Sequence, residues 1–130
     1  MKESIELKVT FDVNPSTLYN AWLSSEEHSK MTGAMACCSK DPGGSFYAWD
    51  GYISGENIKL EEGIEIMQKW RTTAFNESDE SSDLTLKLKD LGNNKTELIL
   101  IHTNIPSGQT QYEQGWIEHY FIPMKNYFKN

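Results

Sequence analysis

Tyr112, Trp116, Ile117, Tyr120, Phe121, Met124, Tyr127 and Phe128 crowd the last stretch of this chain. At roughly 100° per residue they fall in one arc about 180° wide, with Gln114, Glu118, Lys125 and Lys129 opposite. A helix with so broad an aromatic face cannot be left in water, and a flat partner cannot cover it. It needs a large concave surface, which the residues before it must supply. Thr110 and Glu113, three apart, read as a capping box that starts this helix, the longest in the chain. Pro123 removes one backbone donor and predicts a bend.

The preceding residues read as a curved sheet. Ile5, Leu7, Val9 and Phe11 alternate with Glu6, Lys8, Thr10 and Asp12, the period of a half-buried strand. Asn14-Pro15 opens a helix with Leu18, Ala21 and Trp22 on its apolar stripe, and Ser24 with Glu27 caps a second, short one through about Met31. From Gly33 to Thr103 the texture is strand and turn. Asp41-Pro42-Gly43-Gly44 is a turn, Ser45 to Trp49 a strand, and Asp50-Gly51 a two-residue hairpin signal into Tyr52-Ile53-Ser54-Gly55. Glu61-Glu62-Gly63 turns the chain before a strand from Ile64 to Arg71. Asn76 to Asp83 reads as a solvated acidic loop. Leu84, Leu86 and Leu88 form a one-sided strand, and Gly92-Asn93-Asn94 a hairpin into Thr96 to Thr103. Connections this short favour an antiparallel meander. The expected fold is α+β: a curved antiparallel sheet wrapped around a long C-terminal helix, a helix grip, with two short helices after the first strand.

Composition narrows the class. With 130 residues, 38% hydrophobic and 24% charged, the chain reads as one domain over 1–130 with its own core. A formal net charge of −7 argues against nucleic-acid and anionic-membrane partners, since both require positive charge. No apolar run approaches the roughly 20 residues that span a bilayer. Met1-Lys2-Glu3-Ser4-Ile5-Glu6 lacks the apolar middle of a signal peptide, so a cytoplasmic location is expected. The sequons at Asn76 and Asn94 are then chance matches. Cys37 and Cys38 are adjacent, bridge poorly and are expected as free thiols. Neither a C-x-x-C pair nor an H-x-x-x-H pattern supports a metal, and no nucleotide-cradling or nucleophile-elbow motif implies a cofactor.

One run of motifs adds a resemblance. Gly43-Gly44-Ser45-Phe46-Tyr47-Ala48-Trp49-Asp50-Gly51, Gly55, Gln68-Lys69-Trp70-Arg71-Thr72, Thr96-Glu97-Leu98, Pro106, and Tyr112 through Lys125 follow in order nearly end to end. In these the chain resembles standalone bacterial members of the family named after the activator of the heat-shock protein 90 ATPase, in the START-like (SRPBCC) superfamily. The resemblance implies a deep, mostly apolar cavity between sheet and long helix, used by relatives for lipids, hormones or polyketides. The eukaryotic chaperone activator also carries an N-terminal domain, for which 130 residues leave no room.

Candidate site residues follow from both readings. Phe46, Trp70 and Trp116 line a cavity or fill the core. Phe75, beside the acidic loop, is a flap at the mouth or a loop anchor. His102 shares strand parity with Leu98 and Leu100 and points inward, where it orients a ligand, shuttles a proton or simply satisfies its neighbours. Tyr120 is a second orienting group. His28 and His119 read as solvated, and Arg71 as a surface ion pair or a grip for an acidic partner. The leading expectation is a non-catalytic module holding a small hydrophobic or aromatic molecule. A chaperone cofactor-like interaction domain is the alternative, and a cyclase or hydrolase using His102 the third.

Overall fold

Ile5, Leu7, Val9 and Phe11 turn inward from β1 (Glu3–Phe11) while Ser4, Glu6, Lys8 and Thr10 stay exposed, in a computed structural model that describes residues 2–129. Met1, the first residue of the N-terminal stretch read above, and Asn130 lie outside the described residues. Asn14 then caps α1 (Pro15–Leu23) by accepting the Thr17 N–H at 2.9 Å. Ser24 does the same for α2 (Ser25–Thr32) with the Glu27 N–H at 3.1 Å. Gly33, at φ 83°, ends α2 in the left-handed conformation that suits glycine.

Five further strands complete the wall: β2 (Ser45–Ala48), β3 (Ile53–Glu61), β4 (Glu65–Thr72), β5 (Ser82–Gly92) and β6 (Lys95–Ile105). They form one antiparallel, curved sheet in the order β1-β6-β5-β4-β3-β2. β6 lies inside this order, so Ile99 and Ile101 are half-buried on the outer face while Leu98, Leu100 and His102 face the core. The β5–β6 hairpin turns through Asn93 and Asn94 at φ 55° and 57°, the two left-handed residues that a two-residue turn between right-twisted strands needs. Across the inner face, Phe46 pairs with Gly55 and Gly55 with Trp70. Gly55 has no room for a side chain: a Cβ would overlap the Lys69 carbonyl oxygen and come within 2.9 Å of the Phe46 ring. The missing side chain lets that ring lie across the strand.

The C-terminal helix consists of α3 (Tyr112–Trp116), a π-helical turn (Ile117–Phe121) and α4 (Ile122–Tyr127). It packs on the concave face through Trp116 against Trp70 and through Phe121 and Phe128 against Phe11.

Several expectations need correction. The Asp50-Gly51 signal does not make a two-residue hairpin; pairing stops at Ala48–Ile53, and Trp49, Asp50 and Gly51 run at φ 53°, 57° and 94°. A tie from outside the hairpin explains this: Met35 N–H donates to Asp50 Oδ1 at 3.1 Å, and Asp50 N–H donates back to the Met35 carbonyl at 3.0 Å. The acidic loop ends sooner than expected, because Ser82 and Asp83 already belong to β5 and Ser82 is fully buried. No capping box forms at Thr110, since the residue at the helix start is Gln111 and no side chain caps it. A closed ring anchors that end instead. The Thr72 hydroxyl meets the Tyr112 hydroxyl at 2.7 Å, Tyr112 donates to Gln109 Oε1 at 2.7 Å, Gln109 Nε2 donates to the Ala74 carbonyl, and Ala74 N–H returns to Thr72. The disturbance at Pro123 takes the form of the π turn just ahead of it, which eases the clash of a proline ring with the preceding turn. Tyr127 leaves the buried arc and is exposed.

Candidate functional site

Between the turn after β2, strands β3 and β4, and the C-terminal helix lies a cavity of about 250 Å³. Ile53 and Trp70 supply its sheet wall, and Tyr112, Gly115, Trp116, His119 and Tyr120 its helix wall. Trp49 and Tyr52, from the left-handed turn, close the third side. The rings form a continuous surface: Trp70 stands 5.2 Å from Tyr112 and 5.4 Å from Trp116, which stands 5.0 Å from Tyr120. His119 and Tyr52 are exposed and mark the rim.

Most polar atoms of these rings point away from the cavity. Trp116 Nε1–H donates to His102 Nδ1 at 3.1 Å. An indole N–H can only donate, so Nδ1 is unprotonated and the proton sits on Nε2, which donates to Ser82 Oγ at 2.7 Å. Ser82 passes the chain on to the Trp70 carbonyl at 2.7 Å. Burial pushes the His102 pKa down to about 3, so the ring is neutral.

A second buried histidine repeats the arrangement in the other tautomer. His28 Nδ1 meets the Trp22 carbonyl at 2.8 Å and must donate to it. Its Nε2 therefore accepts the Tyr120 hydroxyl proton, also at 2.8 Å. Burial lowers the His28 pKa and raises those of Tyr120 and Tyr112, the last to about 12. Two buried imidazoles thus hold the hydrogen-bonding ends of two side chains of the helix wall, and the faces these leave to the cavity are apolar.

Gly115 stands out on the helix wall. A Cβ there would meet nothing within 4 Å. Glycine inside a helix costs about 1 kcal/mol relative to alanine, and neither a close neighbour nor a positive φ asks for it here. What its missing side chain leaves is space in the cavity.

Of the residues expected at the site, Trp70, Trp116 and Tyr120 line the cavity, while Phe46, Phe75 and His102 do not. Phe46 is committed to covering Gly55. Phe75 packs 6.3 Å from Trp70 and 6.1 Å from Tyr112, with the Arg71 guanidinium 5.4 Å over its ring, and anchors the loop. His102 stands behind Trp116. Among the described residues Arg71 makes no ion pair; it donates to the Asp79 and Asn76 carbonyls at 2.9 Å and staples the acidic loop. His28 is not solvated but 2% exposed. Trp49, Tyr52, Ile53 and Gly115 are cavity residues that the sequence did not single out. Cys37 is exposed, whereas Cys38 is half-buried, with its Sγ 3.8 Å from His28 Nδ1 and its thiol pushed up to about 11 by burial. Among the described residues, no group of three or more His, Cys, Asp or Glu side chains is placed to hold a metal ion, and no helix is long and apolar enough to cross a membrane.

A cavity gripped between a six-stranded sheet and a terminal helix is a shared architecture, and comparison with known proteins is specific. The family model for "Activator of Hsp90 ATPase homolog 1-like protein" matches residues 12–129. The chain belongs to this family. Within the Hsp90 activator-like family, the human activator of 90 kDa heat shock protein ATPase homolog 1 is 34% identical over 125 residues, covering 95% of this chain. The chain spans only 36% of that protein's length. Among solved structures, an HSP90 activator from Plasmodium falciparum superposes with a TM-score of 0.82 at 27% identity, over 92% of this chain and 90% of the other. The Aha1 dimer from Colwellia psychrerythraea shares the fold, with a TM-score of 0.76 at 14% identity over 98% and 96% of the two chains.

Proposed function

We propose that this activator-like domain binds a small hydrophobic or aromatic molecule in the cavity between its sheet and its C-terminal helix. The supporting observation is the cavity of about 250 Å³ lined by aromatic faces, beside a helical glycine that keeps it open at a cost to the helix. A dry cavity of about 150 Å³ holds benzene, so this one suits a molecule of about two fused rings. Affinity would come from apolar burial at roughly 25 cal/mol per Å². Three of the four tryptophans, Trp49, Trp70 and Trp116, line the space and report on its occupancy. Indane titrated into the protein should change the tryptophan fluorescence saturably. Gly115→Leu, whose Cβ meets nothing within 4 Å and which adds a side chain to the cavity lining, should abolish that change, with the melting temperature checking that the variant still folds. A native protein that shows no saturable change overturns the reading.

A second reading, an interaction with a chaperone of the 90 kDa heat-shock class, is favoured by the 34% identity to the human activator. Adding the protein to that chaperone from the same cell should alter its ATPase rate; an unchanged rate removes this reading. The hydrogen bonding around His102 weighs against the enzymatic alternative, because its Nδ1 lone pair is already taken by Trp116.

A further inference from the structure

The sheet has two edges, and they end differently. Beyond β2, Cys37 N–H donates to the Tyr47 carbonyl and Tyr47 N–H to the Cys37 carbonyl, both at 2.9 Å, so the segment around Cys37 covers that side. β1 forms the other edge and pairs with β6 alone. Among the described residues, no backbone group outside that pairing bonds to β1. A strand paired on one side turns alternate N–H and C=O groups outward, ready to accept another strand. Side-chain cover is missing on the same side. On the inner face Leu98 and Leu100 of β6 are fully buried, yet Val9 and Leu7, their partners across the ladder, are only half-buried, as is Ile5.

Edge strands commonly carry a device against pairing, such as a proline, a bulge or an uncompensated charge. From Ile5 to Phe11 the register with β6 is unbroken, and the segment holds neither proline nor glycine. Its charges are of both signs: Glu6 and Lys8 flank Leu7 symmetrically on the exposed outer face.

We infer that the β1 edge is a docking surface for a second copy of this chain, which adds its own β1 antiparallel and joins the two sheets into one. The charge pattern selects this occupant. A two-fold axis through the sheet at Leu7 brings the two Leu7 side chains together and sets each Ile5 opposite Val9 of the other copy. Half-buried apolar side chains thereby cover one another. On the outer face each Glu6 falls opposite Lys8 of the other copy, which makes two cross-strand ion pairs. Moving the axis by one residue destroys this match. Centred on Glu6 it sets glutamate against glutamate, and centred on Lys8 it sets lysine against lysine. The net charge of −7 on each chain opposes association at long range, but physiological salt screens charges over about 8 Å and the edge itself is balanced. β1 contributes no residue to the cavity lining, so this inference stands apart from the binding reading.

Sedimentation velocity over a concentration series reaching millimolar protein should show a monomer–dimer equilibrium. Lys8→Glu changes an exposed side chain and sets like charges opposite one another. It should raise the dissociation constant about tenfold, as expected when two attractive cross-strand pairs turn repulsive. Glu6→Lys should do the same, and the double variant, which restores opposite signs, should return the native value. Mixing the two single variants should yield a mixed dimer. In the native protein, amide hydrogen exchange within residues 5–9 should slow as the concentration rises, a readout that needs no substitution. A protein that stays monomeric at every concentration overturns the inference and leaves the edge to water or to a strand of an unlike partner. A dimer indifferent to all three variants has its contact elsewhere and overturns it equally.

Discussion

Two side chains that local sequence treats as ordinary, His28 and His102, decide what the cavity walls can do. Each has one nitrogen facing a group with a single possible role, a carbonyl for His28 and an indole N–H for His102, and each tautomer follows from that. Both rings are neutral in the fold because burial opposes their charged form. The unfolded chain titrates near the ordinary value of about 6.5, so it binds protons in acid before the folded protein does. The stability these rings allow is therefore fully present above about pH 6.5 and falls as the pH drops below it, for His102 until about pH 3, by up to roughly 1.4 kcal/mol per pH unit for each proton taken up. The urea midpoint should accordingly be flat from pH 8 to 7 and decline from pH 6.5 to 5. A profile that stays flat down to the carboxylate range would contradict the neutral, buried rings.

Among the elements, β3 carries the tightest constraint. Gly55 sits between Phe46 and Trp70, and any side chain would strike the Lys69 carbonyl in the neighbouring strand. Gly55→Ala should cost about 3 kcal/mol or more, at the upper end for single substitutions, because backbone must yield to make room. Urea denaturation measures it, and a loss below about 1 kcal/mol would mean the strands part more easily than their packing implies. Gly115 is the opposite case, a helical position where a Cβ would meet nothing within 4 Å. Elements of this kind were legible wherever their cause was local. Alternation in β1, the Asn14 and Ser24 caps and the turns at Gly63 and Asn93-Asn94 all depend on neighbours a few residues away. The turn at Trp49 to Gly51 was not, because Met35 shapes it from another segment. The absent Thr110 cap has the same explanation, since Tyr112 is anchored by Thr72 on β4 and, through Gln109, by Ala74 in the loop after it.

For the whole molecule, the grip of sheet on helix followed from one feature, an aromatic face too broad for anything but a concave partner. The site was half legible. Trp70, Trp116 and Tyr120 declared themselves by size and position on that face. His28 could not, because its surroundings in sequence are serine and glutamate while its burial comes from Tyr120, far along the chain. Ser82 was hidden in the same way, next to last in a polar run whose final residues enter the sheet beside Trp70. Phe46 and His102 were rightly read as inward, but inward here means structural support one layer behind the cavity surface.

The extended segment that brings Cys37 into a bridge with Tyr47 has one more consequence. Successive residues there point opposite ways, so two chemically identical groups adjacent in sequence occupy different environments: one faces solvent, and the other lies beside His28 with its proton held on by burial. An alkylating reagent meets the outer sulfur at once and the inner one only when this corner of the molecule opens. The pair therefore serves as a built-in gauge of local breathing at the wall that holds Tyr120.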